Sequence, residues 1–372
     1  MWIINNKISC EIKASYYMPK NIIIFSDGTG QEGGKKYNTN VYKLFNMIED
    51  RTPNQISFYD RGLGTGWRKI TGNIGGMGIK KNICDCYEFI FENFEAGDQI
   101  YLFGFSRGAT TVRSLSGFIH LFGILPKSRP ELIKRAYGIY KINDVDERKA
   151  QADEFINKNH TMWTKIKFLG VWDTVAALGL PIKFLDVIID QIPFFHHSYH
   201  NLDLSESVEH ARHALAIDDE RLTFHPKIWN KEIKEGQTMK QIWFCGMHTD
   251  VGGGYAEEKL SDVPLVWMVN EAVENGLRIY PKYKVDIYPD ADGFMHNSRG
   301  TFLTKLYRKK TRNWNYERCG KLVIHESVKM RKQNVNNTAN PVYDSWVLKK
   351  EYEVEPWPEK LRKDFPSLFR NS

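Results

Sequence analysis

The chain has 372 residues, of which 42% are hydrophobic and 26% charged, with a formal net charge of +7. This balance excludes a disordered, collagen-like or low-complexity chain. No apolar run reaches the roughly 18–20 residues of a membrane span, and Met1 to Lys20 lacks the apolar stretch of a signal peptide.

Five cysteines are scattered at 10, 84, 86, 245 and 319. An odd count without a framework argues for a reducing compartment. The expectation is a cytoplasmic protein without disulfides, with signal-independent export left open.

In chain order, residues 1–17 read as a peripheral extension before the first strong strand, Asn21 to Phe25. That continuous apolar run has the pattern of a buried parallel strand. It ends in the turn Ser26-Asp27-Gly28-Thr29-Gly30. Asn38 to Met47 is helical in period. Gln55 to Tyr59 is a second strand, closed by Asp60-Arg61-Gly62-Leu63-Gly64. Ile79 to Phe94 is a helix with Ile83, Tyr87, Ile90, Phe91 and Phe94 on one face. A short apolar strand from Ile100 follows, then the run Gly104-Phe105-Ser106-Arg107-Gly108 and a second helical stretch. Strands at Ile166–Trp172 and Gln241–Gly246 and a helix at Pro264–Asn275 continue the alternation. Strand and helix in alternation predict an α/β protein with a mostly parallel central sheet flanked by helices. Residues 18–372 are read as one domain. It has a core at about 20–275, a cap-like insertion at about 178–235 and a basic segment at about 278–372.

Gly104-Phe105-Ser106-Arg107-Gly108 is a G-x-S-x-G elbow in its strand–turn–helix context. A serine hydroxyl near neutral pH needs a base, and the base needs a group that fixes its tautomer. Asp173 and His248 each follow their own strand, and the chain order Ser106, Asp173, His248 is that of α/β-hydrolases. Asp250 is a rival acid, two residues from His248. His325, at the end of a late strand, is a rival base. The oxyanion needs two backbone donors. The Arg107 amide is one candidate, and Gly28 in the turn beside the supporting residue Asp27 is the other. No metal or organic cofactor is needed by this chemistry. A phosphatase reading of Asp27-Gly28-Thr29 fails because Phe25 stands where the nucleophilic aspartate belongs. The glycines at 62, 64 and 66 have the wrong spacing for a dinucleotide fold.

Six segments occur together and in order: Phe25–Gly30, Asn38–Val41, Tyr59–Thr65, the elbow with Ala109, Gly170–Val175 and His248–Tyr255. Together they resemble the α/β-hydrolase family of type VI secretion phospholipase effectors and their bacterial and fungal relatives. The resemblance implies an α/β-hydrolase fold, a triad of Ser106, Asp173 and His248, and hydrolysis of phospholipid acyl esters. The long membrane-anchoring insertions of the effectors are missing.

Two segments bear on a phospholipid or membrane partner. Residues 182–195 have an apolar face opposite Asp186 and Asp190, as a lid or interfacial helix has. Residues 301–332 carry ten Lys or Arg against two acids, with Tyr307, Trp314 and Tyr316 among them. That mixture suits an anionic membrane surface; nucleic acid is not expected. The oligomeric state is not legible. A soluble small-ester hydrolase and a catalytically inactive binding protein of the same fold are the alternatives.

Overall fold

A computed structural model describes residues 18–28, 33–34, 36–50, 52–62, 74–175, 202–280, 287–333 and 342–364. Eight strands form one sheet: β1 (Asn21–Ser26), β2 (Gln55–Asp60), β3 (Gln99–Phe105), β4 (Ile166–Trp172), β5 (Val208–Ala216), β6 (Thr238–Phe244), β7 (Val323–His325) and β8 (Glu353–Glu355). Their order is β2-β1-β3-β4-β5-β6-β7-β8, and every pairing is parallel. This is the α/β architecture expected from the sequence, a parallel central sheet flanked by helices.

The apolar run of β1 is buried on both faces. Ile22 and Ile24 pack with Ile83 and Tyr87 of α2 (Ile74–Asn93) and Val112 and Leu115 of α3 (Arg107–Phe122). Ile23 and Phe25 pack with Val41 and Leu44 of α1 (Asn40–Met47) and Val266 and Met268 of a later helix, Lys259–Glu274. Each such side chain, fully removed from water, contributes roughly 1.5–3 kcal/mol. Helices α4 (Glu131–Tyr140) and α5 (Val145–Asn159) cover the first face further.

The chain leaves β1 towards β2 and then returns to the other side of β1 to form β3. The sheet therefore has its switch point between β1 and β3. In open α/β sheets the crevice beyond the strand ends at such a point is where ligands bind. Asp27 follows β1 there, and Ser106 follows β3.

One part of the sequence reading needs correction. The cap-like insertion expected at about 178–235 contains β5, a central strand between β4 and β6. Its pattern, Val-Glu-His-Ala-Arg-His-Ala-Leu-Ala, hides the strand because its polar residues find partners far away in sequence. Arg212 pairs with Glu271, and Glu209 with Lys167 at 2.8 Å. The basic segment beyond residue 278 supplies β7 and β8 to the same sheet. Residues 1–17 and 182–195 lie outside the described residues. Among those described, no helix is long and apolar enough to cross a membrane.

The glycines of the elbow are dictated by close approach. A Cβ on Gly104 would stand 2.6 Å from the Gly108 carbonyl oxygen, and one on Gly108 would overlap the Ser26 carbonyl. Gly108→Ala is expected to lower stability by roughly 1–3 kcal/mol, since β1 and α3 must separate. Gly138→Ala in α4, where nothing lies within 4 Å, is expected to raise it by about 0.5–1 kcal/mol through helix propensity. Urea denaturation of the two variants checks the contrast, and equal shifts would reject the packing argument.

Candidate active site

Ser106 sits between β3 and α3 with φ 58° and ψ −119°. A non-glycine residue pays on the order of 1–3 kcal/mol for such a conformation. It is held there by its N–H, which donates to the Trp172 carbonyl at 3.1 Å, and by its own carbonyl, which accepts from Thr110 N–H at 3.3 Å. The strain lifts the hydroxyl off the sheet and places it before the α3 N-terminus.

His248 follows β6 in a short helix, α6 (His248–Gly252). β6 lies three strands from β3, so this loop must arch back over the sheet. A side chain on Gly252 would overlap the Phe105 ring, so its bare backbone permits the approach. His248 Nε2 then lies 2.9 Å from Ser106 Oγ, and Nδ1 lies 2.6 Å from Asp173 Oδ2. An ionised carboxylate only accepts, so Nδ1 carries the proton and Nε2 accepts from the serine hydroxyl. The imidazole is 4% exposed, walled by Phe105 at 4.6 Å and Phe224 at 5.1 Å between ring centroids. Its backbone N–H donates to Asp219 at 3.2 Å.

Asp173 itself is in the left-handed region, with φ 38°. His213 of β5 holds the next residue, its Nε2 accepting the Thr174 N–H at 3.1 Å. Burial pushes His213 down to about 3, so the ring is neutral and serves as an acceptor. Arg312 donates to both Asp173 oxygens, at 2.6 and 2.9 Å, and to the carbonyls of Ala216 and Phe224, each at 2.6 Å. The Ala216 N–H adds a further bond to Asp173 at 3.1 Å. Burial alone would raise the Asp173 carboxyl. The Arg312 guanidinium and the bonds from His248 and Arg312 outweigh it and hold the group well below the ordinary carboxylate range.

The rival residues are placed elsewhere. Asp250 accepts from His296 Nδ1 at 2.6 Å and from the backbone of Met247 and His296. His325 is fully buried on β7, four strands from β3 or about 19 Å across the ladder. It pairs with Ser327 at 2.9 Å, and burial pushes it down to about 3. Arg107 opens α3, so its N–H has no acceptor within the helix. The Gly28 N–H, expected as the second oxyanion donor, donates instead to Asp27 Oδ1 at 2.7 Å. The other Asp27 oxygen accepts from Thr39 and Tyr59, both at 2.6 Å, and burial pushes Asp27 up to about 6. Thr29 lies outside the described residues.

The catalytic-domain family model of the type VI secretion phospholipase effectors, Tle1-like, matches residues 20–271. The chain belongs to this family. The uncharacterized protein YEL023C of Saccharomyces cerevisiae is 31% identical over 230 aligned residues, covering 55% of this chain and 32% of the yeast protein. Among solved structures, an uncharacterized protein from Pseudomonas aeruginosa superimposes with TM-score 0.41 and 17% identity, covering 74% of this chain and 49% of that one. The Tle1 effector bound to the VgrG spike superimposes with TM-score 0.43 and 14% identity, covering 72% and 76%. The chain thus spans about a third of the yeast relative and half of the Pseudomonas chain.

Sequence reasoning missed Arg312, His213, Asp219 and Phe224. Arg312 is one of six cations between Asn297 and Tyr316, and nothing local separates it from its exposed neighbours. His213 was hidden with β5. Arg312→Met, which leaves the Asp173 charge buried with only His248 opposite, is expected to cost on the order of 3–5 kcal/mol at neutral pH. The wild-type carboxyl stays ionised far below its unfolded pKa, whereas the variant's takes up a proton in the ordinary carboxylate range. The variant therefore binds the extra proton first, and the penalty should shrink as pH falls through that range. Chemical denaturation of both proteins across pH measures this; a penalty independent of pH would deny the ion pair its role.

Proposed function

We propose that this Tle1-like catalytic domain is a serine hydrolase that cleaves glycerophospholipid acyl esters through Ser106, His248 and Asp173. The observation that carries the reading is the unbroken hydrogen-bonded chain from Ser106 Oγ through His248 to Asp173 on a strained elbow at the sheet's switch point. The family supplies the substrate class, since its matched model is that of phospholipase effectors.

In this mechanism Ser106 Oγ attacks the ester carbonyl while His248 Nε2 takes its proton. The imidazolium that forms is stabilised by Asp173, whose own negative charge Arg312 secures. The developing oxyanion faces the α3 N-terminus and the Arg107 N–H. His248 returns the proton to the leaving alcohol, leaving an acyl-enzyme at Ser106. Water, deprotonated by the same nitrogen, then releases the fatty acid. Phe105 and Phe224 against the imidazole exclude solvent from the proton path.

A fluorophosphonate probe is expected to label Ser106, and an adduct confined to other serines would reject the nucleophile. His248→Ala should lower turnover by about 10³-fold or more, and His325→Ala should lower it far less. Anionic mixed-lipid vesicles should yield free fatty acid and lysolipid, identified by mass spectrometry. Turnover of short-chain esters with no such products would place the enzyme among soluble small-ester hydrolases.

A further inference from the structure

The loop that delivers Arg312 also carries the most exposed large apolar pair among the described residues. Phe302 is 80% exposed and its neighbour Leu303 67%. They are the two central residues of a turn closed by threonines. Thr301 N–H donates to Thr304 Oγ1 at 3.0 Å, Thr304 N–H donates to Thr301 Oγ1 at 3.2 Å, and the Thr304 hydroxyl donates to the Thr301 carbonyl at 3.0 Å. The turn satisfies its own polar groups and leaves both side chains facing outward.

This tip is anchored on both sides to the catalytic residues. Before it, His296 binds Asp250 of α6, the helix that begins with His248. After it, residues 308–310 pair with 220–222 through Leu222 N–H to the Arg308 carbonyl at 2.9 Å and Lys310 N–H to the Glu220 carbonyl at 2.8 Å. Tyr307 packs edge-on against Phe224, which touches the His248 ring, and Arg312 grips Asp173. A force on the tip is thus borne by the elements that carry the triad.

The charge carried by the segment itself has one sign. No acidic residue occurs from Asn297 to Tyr316, whereas Lys305, Arg308, Lys309 and Lys310 are exposed. Lys309 is paired with Glu220 at 3.1 Å. Apolar side chains at a convex tip, ringed by cations, complement a layer of anionic headgroups over acyl chains. A nucleic acid would satisfy the cations but offers no apolar interior for Phe302 and Leu303.

We infer that the 299–310 loop is the membrane-docking element of this protein, with Phe302 and Leu303 entering the acyl layer of an anionic bilayer and Lys305, Arg308 and Lys310 contacting its headgroups. The inference rests on the phospholipid reading for its biological setting, but its binding test does not require hydrolysis.

The test is co-sedimentation of the full chain with phosphatidylcholine vesicles, with and without phosphatidylglycerol, alongside turnover of a soluble short-chain ester. Wild type is expected to bind the phosphatidylglycerol vesicles and to release them as salt rises. Phe302→Asp with Leu303→Asp should weaken binding by about tenfold or more, from the loss of two apolar insertions. Lys305→Ala with Lys310→Ala should weaken it chiefly at low salt. Both double variants should turn over the short ester as wild type does, because the replaced side chains touch none of the triad. Undiminished vesicle binding by the aspartate variant would overturn the proposal, as would a wild-type protein indifferent to phosphatidylglycerol. Binding by wild type without release of fatty acid would support docking while removing the phospholipid-substrate reading.

Discussion

The Asp173 carboxylate is the group on which the rest of the site depends. It lies fully buried after β4 and accepts from four donors: His248 Nδ1, both terminal nitrogens of Arg312, and the Ala216 N–H. A buried carboxylate without them would simply take up a proton. Ionised, it fixes the His248 tautomer, and that tautomer leaves Nε2 as the acceptor for Ser106. The same charge draws together three stretches of chain far apart in sequence. Arg312 binds the carbonyls of Ala216 and Phe224 as well, so the guanidinium is both counter-charge and strut. One ion pair sets the protonation, the orientation and the local fold.

Strain is concentrated at two of the three members. Ser106 and Asp173 both occupy left-handed backbone, whereas His248 opens a regular helix. Each strained residue is fixed by neighbouring strands: Ser106 N–H by the Trp172 carbonyl, Asp173 N–H by the Ala214 carbonyl at 2.8 Å, and Thr174 N–H by His213. These bonds extend the parallel ladder of β3, β4 and β5 past the strand ends. The sheet's pairing energy is what holds the side chains forward into the crevice. This explains why β5, which contributes none of Ser106, His248 and Asp173, matters to the geometry through Ala214, Ala216 and His213.

What could be read from the sequence follows from where the relevant partners lie. The elbow, β1 and the strand before Asp173 were legible because their signals are local: an apolar run, a glycine pair at fixed spacing, a helical period. His248 was legible through chain order but not separable from His325, since only the tertiary fold puts His248 against Ser106 and His325 four strands away. β5 was invisible because a strand with Glu209, His210, Arg212 and His213 violates the apolar pattern until Lys167 and Glu271 are brought to it. The bond of the Gly28 amide to Asp27 was not legible for a related reason. A glycine turn announces close approach, but whether its N–H faces a ligand or the carboxylate of Asp27 depends on where Thr39 and Tyr59 hold that carboxylate.

The family match ends at residue 271, yet the fold and the site do not. β7 and β8 complete the sheet beyond that point, and the cluster of Trp243, Trp314, Ile324 and Val347 seals its edge. Arg312, the strongest electrostatic partner of Asp173, comes from this same region. A stretch outside the matched range can therefore still supply the counter-charge of Asp173, because what that carboxylate needs is one guanidinium at one place rather than a motif. The same segment holds Arg312 buried against Asp173 and leaves Phe302 and Leu303 exposed, so one end of it serves the interior of the site while the other faces outward.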